Sequence, residues 1–348
     1  MRALVFTGPG RAEVLDVPDP VAGDGRVVVD VDRVGVCGTD VELFTGAMSY
    51  LHTSKTSYPL RPGHEWCGVV SATGPGVDPA WLGRRVTGDT MIGCGHCRHC
   101  ARGRHWVCEQ RYELGITDGM PGALAERVAI PAAYLHALPD AVDVTLGALV
   151  EPGGNALRCV DAAHLAPGER LLVLGTGTIG LLVALFARAR GLEVHLLGEH
   201  EPHLALARSL GFANAWTRDT MPDRPWDAVV DASTGRDLPA LALDLVEPGR
   251  RVVYIGLSHE PSTIDTRTAV LKDVTLIGIL GASAGLAGAI AAYADGSVDP
   301  RPLVAATVGL DGIVDVLSGR RPPGAGPAGA GPKILADPRP LTIATSEE

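Results

Sequence analysis

Arg170-Leu171-Leu172-Val173-Leu174-Gly175-Thr176-Gly177-Thr178-Ile179-Gly180 lies at the middle of the chain. The apolar run from Leu171 to Leu174 predicts a buried strand, and the apolar residues after Gly180, to about Arg190, predict a helix. Between them stands G-x-G-x-x-G. An incidental glycine loop is the plain alternative, but a strand before and a helix after form the context in which this motif binds a dinucleotide. Gly175 allows the tight turn, and Gly177 lets backbone amides approach a pyrophosphate at the helix N-terminus. Gly180 lets helix and strand pack closely, with Thr178 and Ile179 opening the helix.

Working outward, Val194 to Leu197 reads as a second strand and Glu201 to Leu210 has helical spacing. Ala228 to Asp231, Arg251 to Ile255 and Thr275 to Ile279 are further strand candidates. This alternation implies parallel strands joined by crossover helices, an α/β fold. The end of the second strand bears on the cofactor. An acidic residue about 20 residues after the glycines accepts the ribose 2′-hydroxyl of NAD. Glu199 falls there, beside His200, and its charge opposes a 2′-phosphate. Gly198 occupies the position where Asp is usual, and His203 and Arg208 are nearby cations. The balance favours NAD over NADP.

Residues 1–150 have a different texture. Arg26 to Val31, Gly68 to Ser71 and Ala125 to Ile130 are short strand-like runs, split by turn signals such as Gly23-Asp24-Gly25 and Gly74-Pro75-Gly76. Near the other end, Arg320 to Pro332 is nearly all Gly, Pro and Ala and reads as a mobile surface loop. Lys333 to Leu335 can return as a last strand. No internal repeat is visible.

With 348 residues, 46% hydrophobic, the chain can bury a large core across two domains, or one domain with a second inserted. A net charge of −10 argues against nucleic acid as a partner. Arg98, Arg102, Arg104, His105 and Arg111 cluster locally and read as a solvated surface. The longest apolar stretch, Leu171 to Ala187, is interrupted by glycines, so no membrane span is expected. Met1-Arg2 leads into an apolar run too short for a secretory signal. Seven cysteines, an odd number, argue for thiolate chemistry in a reducing cytoplasm rather than a disulfide framework.

Cys94, Cys97, Cys100 and Cys108 follow C-x2-C-x2-C-x7-C. Four thiolates suit a closed, structural zinc site. An iron–sulfur cluster or two disulfides are the alternatives, though the ferredoxin-type run has a shorter last gap and a following proline, where Cys108 precedes Glu109. A second constellation is dispersed: Cys37 in Val36-Cys37-Gly38-Thr39-Asp40, His64 and Glu65 after Pro62-Gly63, and Glu151 before Pro152. Each alone is weak. Together a thiolate, an imidazole and one or two carboxylates, each beside Gly or Pro, make a mixed zinc site with a position open for substrate. Asp40 is then the acceptor that orients His64, and the Thr39 hydroxyl can pass a proton. Cys67 and Cys159 lie in apolar surroundings and read as inert core thiols.

In this order, the Cys37-Gly38-Thr39-Asp40, Gly63-His64-Glu65, four-cysteine, Glu151-Pro152 and Gly175–Gly180 motifs resemble the zinc-dependent medium-chain dehydrogenases, in particular their threonine, sorbitol and glucose dehydrogenase branch. The resemblance spans about Met1 to Pro338. It implies a GroES-like catalytic domain (1–150), a Rossmann domain (151–290) and a C-terminal return to the catalytic domain (291–348). It implies two zincs per chain: a catalytic one on Cys37, His64, Glu65 and Glu151, and a structural one on Cys94, Cys97, Cys100 and Cys108. Asp231-Ala232-Ser233, Ile255-Gly256-Leu257 and Leu280-Gly281 resemble later cofactor contacts, and Lys333 resembles a C-terminal cation near the pyrophosphate. Where many relatives carry a relay His, this chain has Glu42.

The activity implied is hydride transfer between NAD(P) and a secondary alcohol or ketone, on a polyol, sugar, cyclitol or amino alcohol. Rival readings are an imine or activated-alkene reductase on the same fold, and a non-enzymatic zinc and nucleotide sensor. The loop from Thr45 to Leu60, with Tyr50, His52 and Lys55, either borders the substrate pocket or is an exposed tip. A homodimer or homotetramer is the expected assembly.

Overall fold

In the computed structural model, Arg170–Leu174 is a central strand of a six-stranded sheet. Across it run Ala215–Trp216, Glu193–Leu197, Arg170–Leu174, Trp226–Asp231, Val246–Tyr254 and Thr275–Gly278. Every neighbouring pair is parallel. In chain order that is 3-2-1-4-5-6, the doubly wound order whose reversal opens a crevice at the carboxyl ends of the first and fourth strands. The helix after the glycines is Thr178–Ala189, and Glu201–Ser209 is the next. The structure describes residues 1–117, 119–323, 325 and 331–339. Residues 324 and 326–330 of the Gly-Pro-Ala run, expected as a surface loop, lie outside the described residues.

The other large sheet is antiparallel for most of its width. Its order is Val304–Gly309, Lys333–Asp337, Arg26–Gly35, Glu65–Thr73, Arg85–Gly88 and Leu135–Ala137, and Arg127–Pro131 also pairs with Arg26–Gly35. Val27, Val29 and Val31 alternate inward from one strand and meet Trp66, Val70 and Val86 from its neighbours. Leu310, Ile313, Leu317 and Ala336 bury into the same cluster. The last described strand therefore completes the first sheet, long after the parallel sheet has been built.

The helix Val150–Ala163 joins the two sheets through a common core. Leu149, Ala156, Leu157 and Val160 share one cluster with Cys67 and Leu138 from the antiparallel side and Leu171, Val173 and Leu181 from the parallel side. Full burial of a leucine contributes about 1.5–3 kcal/mol, so this seam is a packed interior and not a tether. Cys67 and Cys159 sit inside it, and burial pushes both thiols up to about 12, which keeps them protonated and inert. Among the described residues no helix is long and apolar enough to cross a membrane.

A buried histidine marks the parallel sheet. His195 accepts from Trp216 Nε1 at Nδ1 (3.1 Å), contacts Glu193 through Nε2 (2.8 Å), and lies 4.7 Å from the Trp226 ring. These partners suit the neutral ring. Burial, reinforced by Arg224, lowers its pKa despite Glu193. A histidine with a lowered folded-state pKa contributes stability above its unfolded pKa of about 6.5 and loses it as pH falls. Thermal melts across this range should show stability declining below about pH 6.5, with a shallower decline in His195→Gln. An equal slope in that variant would assign the acid sensitivity elsewhere.

Candidate active site and cofactor cleft

Cys37 is the N-cap of the helix Gly38–Thr45, and its backbone N–H donates to Asp40 Oδ2 at 2.9 Å. The carboxylate in the first turn suits both the free peptide donors and the helix dipole. His64 precedes the strand Glu65–Thr73, which pairs with Arg26–Gly35 in a register that sets Glu65 opposite Gly35. This pairing brings the Cys37 and His64 segments to one strand end. Gly35 must lack a side chain, because a Cβ there would lie 2.1 Å from Glu65 Oε2. Ligand atoms of Cys37, His64 and Glu65 all lie within 4.8 Å of one another.

The surroundings are charged and buried. Asp40 Oδ1 lies 3.7 Å from His64 Nδ1, and neither atom has a hydrogen-bond partner among the described residues. Burial opposes charge on His64, yet Asp40, Cys37 and Glu151 hold its pKa well above the ordinary value. Glu151 sits in the first turn of Val150–Ala163. Asn155, one turn on, donates to its Oε1 and Oε2 at 3.0 and 3.1 Å, while burial pushes the carboxyl up to about 7. Glu151 lies outside the three-residue group but is close enough to act on His64. A thiolate, an imidazole and buried carboxylates are the donors zinc takes, and a divalent cation would offset the charge that burial penalises.

Lys333, for which the resemblance implied a place near the pyrophosphate, is not among the residues lining the nucleotide cleft. Its Nζ donates to Glu65 Oε1 and Oε2 at 2.9 and 2.7 Å and to the Val36 carbonyl at 2.9 Å. The cause is register: Lys333–Asp337 pairs antiparallel with Arg26–Gly35, Leu335 against Gly35, which carries residue 333 past Val36. Thr39 Oγ1 stands 3.9 Å from Cys37 Sγ. Glu42, on the same helix, meets His259 Nδ1 at 3.9 Å from the opposite sheet's loop, a contact with no local signal in the sequence. In the Thr45–Leu60 loop, Tyr50 donates to Glu113 Oε1 at 3.3 Å, Arg111 pairs with Glu113 at 2.9 Å, and Lys55 Nζ lies 4.8 Å from the Tyr50 ring. His52 Nε2 lies 3.1 Å from the Gly46 carbonyl.

The second group is closed on itself. Sγ atoms of Cys94, Cys97, Cys100 and Cys108 all lie within 4.8 Å of one another, with Cys94–Cys100 at 4.0 Å and Cys97–Cys108 at 3.7 Å. Sulfurs about 2.3 Å from a tetrahedral ion sit roughly 3.8 Å apart, whereas a disulfide is about 2.05 Å long. All seven cysteines are free thiols, which excludes the two-disulfide alternative.

The crevice of the parallel sheet holds a cleft of about 780 Å³, lined by Gly175, Gly177, Glu199, His200, Ser233 and Arg218 among others. Gly175 has φ +101°, a Cβ on Gly180 would lie 2.0 Å from the Gly175 carbonyl, and one on Gly177 would meet nothing within 4 Å. Gly198 also has a physical reason: its Cβ would lie 2.7 Å from Thr176 Oγ1, which leaves Glu199 as the first acidic side chain at the strand end. Thr178 and Ile179 open the helix without lining the cleft, and Ile255 and Leu280 lie outside it too. Ile255 N–H donates to the Asp231 carbonyl at 3.0 Å, and the Leu280 carbonyl accepts from Arg158 at 2.7 Å. Arg218, paired with Asp237 at 2.6 Å, was not anticipated. These contacts separate two alanine variants. Gly180→Ala should lower the melting temperature and dinucleotide binding together. Gly177→Ala should keep the fold and weaken binding roughly tenfold or more by blocking close approach of the pyrophosphate, as read by nucleotide fluorescence titration.

A 3-2-1-4-5-6 sheet with a glycine-turn cleft, beside a thiolate–imidazole–carboxylate group on an antiparallel sheet, defines a dinucleotide-dependent oxidoreductase with a metal centre. Residues 23–140 match the alcohol dehydrogenase GroES-like domain, and residues 178–295 match the zinc-binding dehydrogenase family. L-threonine 3-dehydrogenase of Saccharopolyspora erythraea is 33% identical over 296 residues, covering 81% of this chain and 84% of that protein. A zinc-binding dehydrogenase of Sinorhizobium meliloti 1021, solved bound to NADP, superposes with TM-score 0.86 at 26% identity, over 97% of this chain and 99% of that one. A thermostable alcohol dehydrogenase from Pyrobaculum aerophilum gives TM-score 0.84 at 27% identity, over 97% and 99%. The chain belongs to the zinc-dependent medium-chain alcohol dehydrogenase family, and it is an NAD(P)-dependent alcohol dehydrogenase.

Proposed function

We propose that the enzyme oxidises a secondary alcohol of a polyol, sugar, cyclitol or amino alcohol at the Cys37–His64 centre, with NAD as the favoured acceptor. The convergence of Cys37, His64 and Glu65 within 4.8 Å carries the reading. Cys37 and His64 would hold a catalytic zinc with Glu151 or Glu65 as the exchangeable carboxylate, and Cys94, Cys97, Cys100 and Cys108 a structural one. Bound zinc supplies Lewis-acid chemistry, which makes an alcohol proton easier to remove. Asp40 orients the His64 ring, and Lys333 balances the charge of Glu65. Thr39 Oγ1 is placed beside Cys37 to take the alcohol proton, with Glu42 as the next carboxylate outward. Glu199 on the cleft wall, with Arg218 already paired to Asp237, supports NAD over NADP. The amino-alcohol or polyol class is supported by the threonine dehydrogenase relatives and by the polar Tyr50–Glu113–Arg111 group.

We also infer a homo-oligomer, dimer or tetramer. Thr275–Gly278 is an edge strand, and Leu257, Val270 and Leu271 are among the chain's most exposed large apolar side chains. Seven free thiols fit a reducing cytoplasm. Metal analysis joined to a spectrophotometric screen of polyols, cyclitols and amino alcohols with NAD and NADP tests the reading. Two zincs per chain and turnover on one of these alcohols are expected. One zinc and no turnover would favour a sensor instead.

A further inference from the structure

Tyr293 is a buried phenol to which the proposed chemistry gives no part. It stands on the helix Leu286–Ala294 and donates from Oη to the Leu149 carbonyl at 3.1 Å. Burial, and then the charge of Glu65, raises its pKa, so the hydroxyl stays protonated and remains a donor. The Phe186 ring stacks on it with centroids 6.0 Å apart. Phenylalanine would bury nearly the same apolar surface here, so what tyrosine adds is the one donor it aims at Leu149.

The acceptor is a joint between two helices. Leu149 ends Val144–Ala148 and caps Val150–Ala163, with φ −96° and ψ 1°. Its carbonyl also accepts the first bond of the second helix, from Gly153 N–H at 2.9 Å. The ψ angle of Leu149 sets the direction of this carbonyl and also the direction of the next turn, which carries Glu151. The turn is shaped to admit the phenol: a Cβ on Gly153 would lie 2.1 Å from Tyr293 Oη, although glycine within a helix costs about 1 kcal/mol relative to alanine. A Cβ on Gly285 would lie 2.1 Å from the Gly154 carbonyl, so the segment leading into Leu286–Ala294 rests on the same turn. Glu151 is buried and its carboxylate is held by Asn155 of its own helix. Its place relative to Cys37 and His64 therefore follows the helix as a body.

We propose that Tyr293 is a positioning residue for the metal centre: its hydroxyl, brought from the parallel-sheet side, fixes the first turn of Val150–Ala163 and thereby the reach of Glu151 toward Cys37 and His64. This role rests on Glu151 being the exchangeable carboxylate of that centre.

Wild type, Tyr293→Phe, Glu151→Ala and the double variant decide it. Chelator competition on the zinc-loaded enzyme reads zinc affinity at the Cys37 centre, and the visible spectrum of the cobalt-substituted enzyme reads ligand geometry. Tyr293→Phe should weaken zinc at this centre and lower kcat, each by roughly tenfold. It should shift the cobalt bands while keeping NAD affinity and the ion of the four-cysteine cluster. In the Glu151→Ala background the same change should have no further effect on zinc affinity or spectrum, because the group it positions is gone. Wild-type zinc affinity and spectrum in Tyr293→Phe would overturn the role. Equal losses in both backgrounds would also overturn it, and would mean general damage or action through Glu65. A parallel fall in NAD affinity would assign the hydroxyl to the fold and overturn it too. Glu151→Ala with wild-type zinc affinity and spectrum would instead remove Glu151 from the ion, and the positioning role with it.

Discussion

Cys37→Ala should cut turnover on the order of a thousandfold or more while leaving dinucleotide binding intact. The two effects separate because the residue has two attachments. Its backbone N–H, which alanine keeps, donates to Asp40 and starts the helix that carries Thr39 and Glu42. Its sulfur, which alanine lacks, is the only thiol in the group with His64 and Glu65. The fold at the strand end therefore survives and the donor set does not. The glycine-turn cleft shares no lining residue with that group, so nucleotide fluorescence titration should give nearly the wild-type affinity. Zinc content should fall from two to one per chain, the cluster at Cys94 to Cys108 retaining its ion. Full activity in this variant would remove Cys37 from the chemistry.

How much of this was legible in the residues depends on how local each signal is. The glycine turn is contiguous, so strand, turn and helix could be read from Arg170 to Arg190, and the structure adds only what each glycine touches. The four cysteines are nearly as local. The Cys37 centre was legible as residue types but not as a place, because its members meet only through the Gly35–Glu65 register. Asn155 could have been found, since it stands four residues after Glu151 on one helix and such pairs face each other. The pairing of Lys333 with Glu65 and of His259 with Glu42 could not. Lys333 arrives by pairing of the last described strand with Arg26–Gly35, and His259 reaches Glu42 from the other sheet. Periodicity carries no information about either. Gly198 looked like a missing acid; a Cβ there would lie 2.7 Å from Thr176 Oγ1, so a side chain at this position requires Thr176 to shift.

Replacing Lys333 with Met should destabilise the metal-free protein by about 3–5 kcal/mol, the usual consequence of removing one member of a buried ion pair. Both side chains are nearly sealed from solvent, at 3% exposure for Lys333 and 2% for Glu65. Methionine fills similar space but leaves the Glu65 carboxylate without its cation and the Val36 carbonyl without its donor. Urea unfolding of chelated protein at neutral pH reads the loss directly. The double variant Lys333→Met/Glu65→Gln should recover a large part of it, because a neutral amide no longer requires a counter-charge; the recovered part is the coupling energy of the pair. Zinc should also restore stability to Lys333→Met more than to wild type, since a divalent cation at Cys37 and His64 then becomes the nearest positive charge to Glu65. A loss below about 1 kcal/mol, in the range of an exposed pair, would mean that water reaches Glu65 and that Lys333 does not balance its charge. A full loss without zinc-specific recovery would instead place Glu65 behind the metal centre as structural support, leaving Glu151, held by Asn155, as the carboxylate that serves the ion.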